Sequence, residues 1–341
     1  MSHRVFRHLG YEHAAVLAGY MLLSIGMTWP LFQNFTSAIT GSGDAKHHLW
    51  MLWHTKEALL GRDAFFSTSL LYYPKGVTLL VNALGPLTGL FALPFWTWGP
   101  EAANNGTILV SFCLTGYGMY LLARGLKFEP PVAFFTGVIL LSAPIHLAAL
   151  WGHLPKLFIG LPPLALLMLH FAFDLQRSKW WALAFAITML LILLHSGEQF
   201  VFTAFAVGFF MLTNLFLVES TRRQSVLQRI ALVSICSAVL TVPILWAILD
   251  APSRSGIRVE RNLESFNYQP DLIQFFVPGW PGRILGPIFA NFLNPFSKAG
   301  IETAVFLSWT GTLLCVFALL SGNKFARPWL VFTILSLNFA L

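Results

Sequence analysis

Apolar runs of about 20 residues recur along the chain between short polar and basic stretches, and each is long enough to cross a hydrocarbon core of about 30 Å as a helix. They occupy 14–32, 102–123, 132–150, 157–173, 180–194, 200–218, 230–249 and 303–320, with another run starting at Trp329. Only 13 residues remain from Trp329 to Leu341, too few to cross, so the expectation is a last span cut short. Repeated runs of this length satisfy their backbone groups in lipid as helices. The expected fold is therefore all-α, a polytopic transmembrane helical bundle forming a single domain over residues 1–341.

One stretch departs from this pattern. Between 37 and 76 the chain turns polar, with Gly41-Ser42-Gly43-Asp44, an amphipathic segment over 45–60, and then Tyr72-Tyr73-Pro74-Lys75-Gly76. Leu49, Leu52, Trp53, Leu59 and Leu60 recur at helical spacing while Lys46, His47, His54 and Glu57 gather elsewhere, which predicts a helix lying along the membrane surface. The following run, 77–98, is apolar and long but carries Gly85-Pro86, Gly89 and Pro94.

Charge decides how to treat that run. If 77–98 makes no net crossing, Arg124/Lys127, Arg177/Lys179, Arg222/Arg223/Arg229 and Lys324/Arg327 share a side with Arg4 and Arg7; if it crosses, all four clusters move outside, against the positive-inside rule. The predicted layout has a cytoplasmic N-terminus, seven spans before residue 250, and a first outer loop over 34–101 holding amphipathic and juxtamembrane helices. A large outer loop follows over 250–302. The localisation this implies is the inner (plasma) membrane, multi-pass, with the chemistry on the outer, periplasmic face.

Composition agrees: 56% of the 341 residues are hydrophobic and 10% charged, against roughly a quarter charged in soluble domains. The net charge of +7 lies mostly between the apolar runs and no nucleic-acid motif accompanies it, so the bilayer accounts for it. Cys113, Cys236 and Cys315 fall inside apolar runs, as packing residues without metal spacing. Arg4 and Arg7 precede the first run, but no small-residue cleavage site follows it, so that run is expected to be retained. No internal repeat is evident, which counts against an inverted-repeat transporter.

Candidate chemistry concentrates at the outer ends of these runs. Asp44 serves either as a helix N-cap or as a general base or metal ligand at the mouth of a membrane cavity. His47 and His48 could join it around a divalent metal, yet adjacent helical residues point about 100° apart, so a solvated face is the competing reading. Lys75 sits in a turn with interface aromatics or meets a lipid phosphate. His153 and Lys156 bracket the turn between two runs, as capping residues or substrate contacts. His195-Ser196-Gly197-Glu198 pairs a serine with a histidine, without the surroundings of a nucleophile elbow. Arg254, Arg258 and Arg261 are either solvated or, with their planar donor forks, matched to a phosphate or diphosphate.

Taken in order, Gly43-Asp44 with Trp50 and Trp53, Tyr73-Pro74-Lys75-Gly76-Val77-Thr78-Leu79-Leu80, Gly116-Tyr117-Gly118-Met119-Tyr120-Leu121-Leu122-Ala123-Arg124, Gly152-His153, and Pro270-Asp271-Leu272 with Phe275-Phe276-Val277-Pro278 resemble a group of bacterial membrane proteins. Those are similar to the GT-C type glycosyltransferases, the class of protein mannosyltransferases, oligosaccharyltransferase and aminoarabinose transferases. The resemblance implies a polyprenyl-phosphate or diphosphate sugar as donor and partner, and an acidic catalytic residue in the first outer loop, a position that Asp44 matches. It also implies that the loop after residue 250, with Asp271, closes over donor and acceptor. No Asp-x-Asp follows Asp44, which leaves the metal open, and the adjacent Asp-Glu pair of the mannosyltransferases is missing, which leaves the acceptor open. The alternatives are a lipid-linked sugar flippase or transporter, and a non-catalytic membrane protein.

Overall fold

The apolar runs fold as helices, the one local arrangement in which a continuous segment pairs all its own backbone groups. A computed structural model describes residues 3–41, 43–80, 85–255, 272–278, 286–293, 306 and 309–321. Among the described residues the structure is about 76% helical with almost no strand. In chain order the helices are α1 (His3–Met27), α2 (Gly43–Leu59), α3 (Pro86–Ala92), α4 (Pro100–Gly125), α5 (Pro130–Leu141), α6 (Pro144–Ala148), α7 (Leu161–Phe173), α8 (Trp180–His195), α9 (Gly197–Leu217), α10 (Arg223–Ser255), α11 (Gly286–Leu293) and α12 (Trp309–Leu320).

Among the described residues, four helical stretches are long and apolar enough to cross a membrane: Pro100–Gly125, Leu154–Phe173, Gly197–Leu217 and Ser220–Ala251. A fifth is reached if Pro130–Leu141 and Pro144–Trp151, bent by 50°, count as one span. The pattern of apolar runs predicts seven before residue 250, and the differences have local causes. In the run 132–150, Ala143 is extended (ψ 134°) before Pro144 and the helix breaks there, because a proline disfavours the helical conformation in the residue preceding it. The first run, 14–32, is divided: α1 ends at Met27 and turns follow to Ser37 around Pro30. Helix α8 has 16 residues, or about 24 Å at 1.5 Å per residue.

Over 77–98 there is no continuous helix. The strand β2 (Val77–Thr78) pairs antiparallel with β1 (Ser67–Thr68), and α3 then leads into a 3-10 turn at Leu93–Trp98. With 7 residues, α3 is about 10 Å long and cannot reach across a bilayer.

Helix α4 forms the centre. It packs against α1 and α5 and also against α7, and its buried residues alternate large side chains such as Phe112 and Tyr120 with small or hydroxylated ones, Thr107, Ser111, Thr115, Gly116 and Gly118, that let neighbours come close. A Cβ on Gly118 would lie 2.3 Å from the carbonyl oxygen of Gly160, and one on Gly160 would lie 2.4 Å from that of Leu114. Backbones therefore touch here, the close approach by which membrane helices gain packing energy without a hydrophobic driving force. Asn105, fully buried, donates to the carbonyls of Phe35 (3.0 Å) and Ala38 (2.8 Å) and ties the turns after α1 to this centre. One core cluster collects α1, α2, α4 and α5; a second collects α7, α8, α9 and α10.

Candidate functional site

Two glycines decide how the polar segment docks. Gly41 (φ +90°) and Gly152 (φ +118°) both occupy the left-handed region, which side chains other than hydrogen resist. A Cβ on Gly41 would stand 2.4 Å from the Trp151 carbonyl oxygen, and one on Gly152 would stand 3.0 Å from the Ala45 nitrogen. The start of α2 is thereby pressed against the turn that carries His153.

At that contact Asp44 Oδ2 lies 3.7 Å from His153 Nε2. Gly43 opens α2, so Asp44 stands in the first helical turn instead of flanking it as the cap, and its side chain is 67% exposed. The positive end of the helix favours a carboxylate there. Beneath it, buried His48 places Nδ1 2.7 Å from the Gly152 carbonyl oxygen. A carbonyl can only accept, so Nδ1 carries the proton; burial pushes the ring toward its neutral form, against the opposing pull of that hydrogen bond. Lys156, half-buried, ends a 3-10 turn just beyond His153.

The geometry does not bring Asp44, His47 and His48 together around a metal, and it leaves His48 buried where the competing reading made it part of a solvated face. Among the described residues no three His, Cys, Asp or Glu groups converge as a metal site. His48 turns inward to Gly152, and neighbouring helical positions point apart. The predicted faces of α2 change too. Its buried residues are Ala45, His48, Met51, Leu52, His54, Thr55 and Ala58, whereas Leu59 and Leu60, expected on the apolar face, are exposed.

Lys75 lies elsewhere. It lines a cleft of about 830 Å³ between the β1–β2 hairpin and the end of α10, together with Asp63, Thr68, Trp246 and Asp250. Asp63 was missed by sequence reasoning, and His54 was assigned to a polar face. In the structure Asp63 accepts from the Ala64 amide (2.8 Å) and the Thr68 hydroxyl (2.8 Å), with buried His54 Nε2 at 3.4 Å. Burial raises the Asp63 carboxyl, but the Thr68 hydroxyl, the Ala64 amide and His54 outweigh it and hold the group below the ordinary carboxylate range. The only signal in the sequence was a carboxylate after Gly61-Arg62, at the end of the amphipathic segment.

The remaining candidates separate. His195 Nδ1 is 2.7 Å from the Thr88 hydroxyl, while Ser196 Oγ accepts from the Gln199 amide (3.4 Å) as the cap of α9, so the two do not form a nucleophile and its base. Arg254 falls on α10, which continues past the expected loop boundary to Ser255. Arg258, Arg261 and Asp271 lie outside the described residues.

Compared with known proteins, the chain matches no family model, no curated protein and no solved structure.

Proposed function

We propose that the chain is an integral-membrane glycosyltransferase of the GT-C type, moving a sugar from a polyprenyl-phosphate or diphosphate donor to an acceptor hydroxyl. The observation that supports this reading is the meeting of Asp44 and His153. These residues are 109 positions apart in the chain and were singled out independently in the sequence, yet they stand 3.7 Å apart on an exposed rim of a helical membrane bundle.

In this mechanism Asp44 takes the proton of the acceptor hydroxyl, and His153 holds the carboxylate in place. The acceptor oxygen bonds to the anomeric carbon as the bond to the phosphate oxygen breaks, and the phosphate leaves with that electron pair. Lys156, beside His153, is the nearby cation suited to the developing phosphate charge. The acceptor side needs only a base and a fixed geometry, because the donor is already activated.

The test is Asp44→Asn in the full chain, assayed by consumption of a polyprenyl-phosphate sugar. Asn is nearly isosteric and the site is exposed, so the fold and donor binding are expected to persist. Loss of a general base costs about 10²–10⁴-fold in rate, and turnover should fall by that order. Transfer at the wild-type rate would remove Asp44 from the chemistry. Movement of the donor across vesicles without its consumption would favour the transporter reading.

A further inference from the structure

A second feature lies along the partly exposed face of α2. Leu49, Trp50, Trp53 and Lys56 share it with Lys46, at spacings of three and four residues, and together with Leu70 and Trp96 they line a groove of about 730 Å³. Its far wall is Gly99 and Pro100, where α4 begins. Helix α4 is of spanning length, and a groove beside its first turn suits the interfacial depth that tryptophan and lysine favour in membrane proteins.

Among the described residues two lysines and no carboxylate line the groove, but a Glu101 carboxylate oxygen stands 3.6 Å from where a Cβ on Gly99 would lie in the far wall, so the uncompensated positive charge is at the Lys46 end. Lys56 is already engaged: its Nζ lies 4.6 Å from the centroid of the Trp96 ring and 3.2 Å from Glu57, which also binds Arg62 at 3.1 Å. Lys46 is exposed and has no ion-pair partner among the described residues. The two lysines sit ten positions apart on α2, or about 15 Å along its axis, so the paired Lys56 and the unpaired Lys46 mark opposite ends of the groove. Leu70, which lines it, and Trp98, next to Gly99 in its wall, are both more than half exposed. An aromatic surface of this kind beside a spanning helix is suited to the headgroup layer, not to open water.

We propose that this groove seats the headgroup of an anionic phospholipid, its phosphate at Lys46 and its glycerol and upper chain over Trp50, Trp53 and Trp96. Lys56 sets the far end and orients the Trp96 ring. The site is independent of sugar transfer: Asp44 is on the same helical turn as Lys46 but faces His153, and it does not line the groove.

The full chain in phosphatidylcholine micelles is titrated with brominated phosphatidylglycerol or brominated phosphatidylcholine while tryptophan fluorescence is followed. Saturable quenching about 5-fold tighter for the anionic lipid is expected, the factor that one basic residue supplies at an anionic surface. Lys46→Ala should bring the ratio of the two lipids close to one, Lys46→Arg should keep it, and Trp53→Phe should lower the amplitude. Circular dichroism confirms that each variant is folded, and the wild-type comparison stands without them. Equal quenching by both lipids overturns the proposal, as does a preference that survives in the Lys46→Ala/Lys56→Ala variant. Displacement of brominated phosphatidylglycerol by inorganic phosphate at the concentration at which unbrominated phosphatidylglycerol displaces it would also overturn it, marking a site for free anions.

Discussion

Asp63 illustrates how a short turn acquires a chemical identity. Its two oxygens accept from Ala64 and Thr68, and Thr68 in turn accepts from the Leu70 amide at 3.2 Å, so one carboxylate ties the end of α2 to the β1–β2 hairpin. Hydrogen bonds to a charged group contribute about 1.5–3 kcal/mol, and Asp63→Asn should destabilise the hairpin by an amount in that range. The sign follows from the depressed folded-state value. The contribution is fully present above the ordinary aspartate pKa of about 3.9 and is lost as the pH falls through the lower folded value. Thermal unfolding of the two proteins should therefore differ at pH 7 and converge in strong acid. A constant difference at every pH would assign the effect to packing.

At the scale of elements, contact between helices is controlled by where side chains are missing. Helices α4 and α7 approach through Gly118 and Gly160, and a methyl group at Gly118 would collide with backbone, which cannot swing aside as a side chain can. Gly118→Ala should cost about 1–3 kcal/mol, the usual penalty for overpacking a filled interface. Gly208, whose added Cβ would meet nothing within 4 Å, is the control. Gly208→Ala in α9 should be neutral or stabilising by up to about 1 kcal/mol, since alanine is the better helix former. Thermal unfolding in one detergent compares them, and similar losses in both would show that the α4–α7 contact is not limiting. The break between α5 and α6 has the same local character: Pro144 divides an apolar run that hydropathy alone treats as one span.

At the scale of the whole molecule, the distribution of basic residues predicts sidedness. Leu126, after α4, and Ser178, before α8, are both exposed, and the positive-inside argument puts them with the N-terminus in the cytoplasm. Cysteine placed at either position, in a background lacking Cys113, Cys236 and Cys315, should resist a membrane-impermeant reagent in intact cells. Cysteine at the exposed Tyr73 should react. The reverse result would invert the layout and remove the proposed site from the face on which an outer-facing transferase needs it.

Much was legible before any fold was known. Runs of about 20 apolar residues impose helices because lipid offers no partner for backbone groups, and such runs are a property of composition along the chain. Prolines at 30 and 144 mark where helices stop, for reasons confined to one or two residues. What only the tertiary structure decided is which polar residues meet. His153 approaches Asp44 through the left-handed glycines at 41 and 152, and that contact exists only once α2 has docked. The sequence puts His54 on the polar face of the amphipathic segment, but a helical wheel shows the polarity of a face and not what packs against it; Asp63 and Trp50 cover the ring. Periodicity determines which side of a helix is unlike the other, while the choice of buried side falls to the neighbours that the rest of the chain supplies.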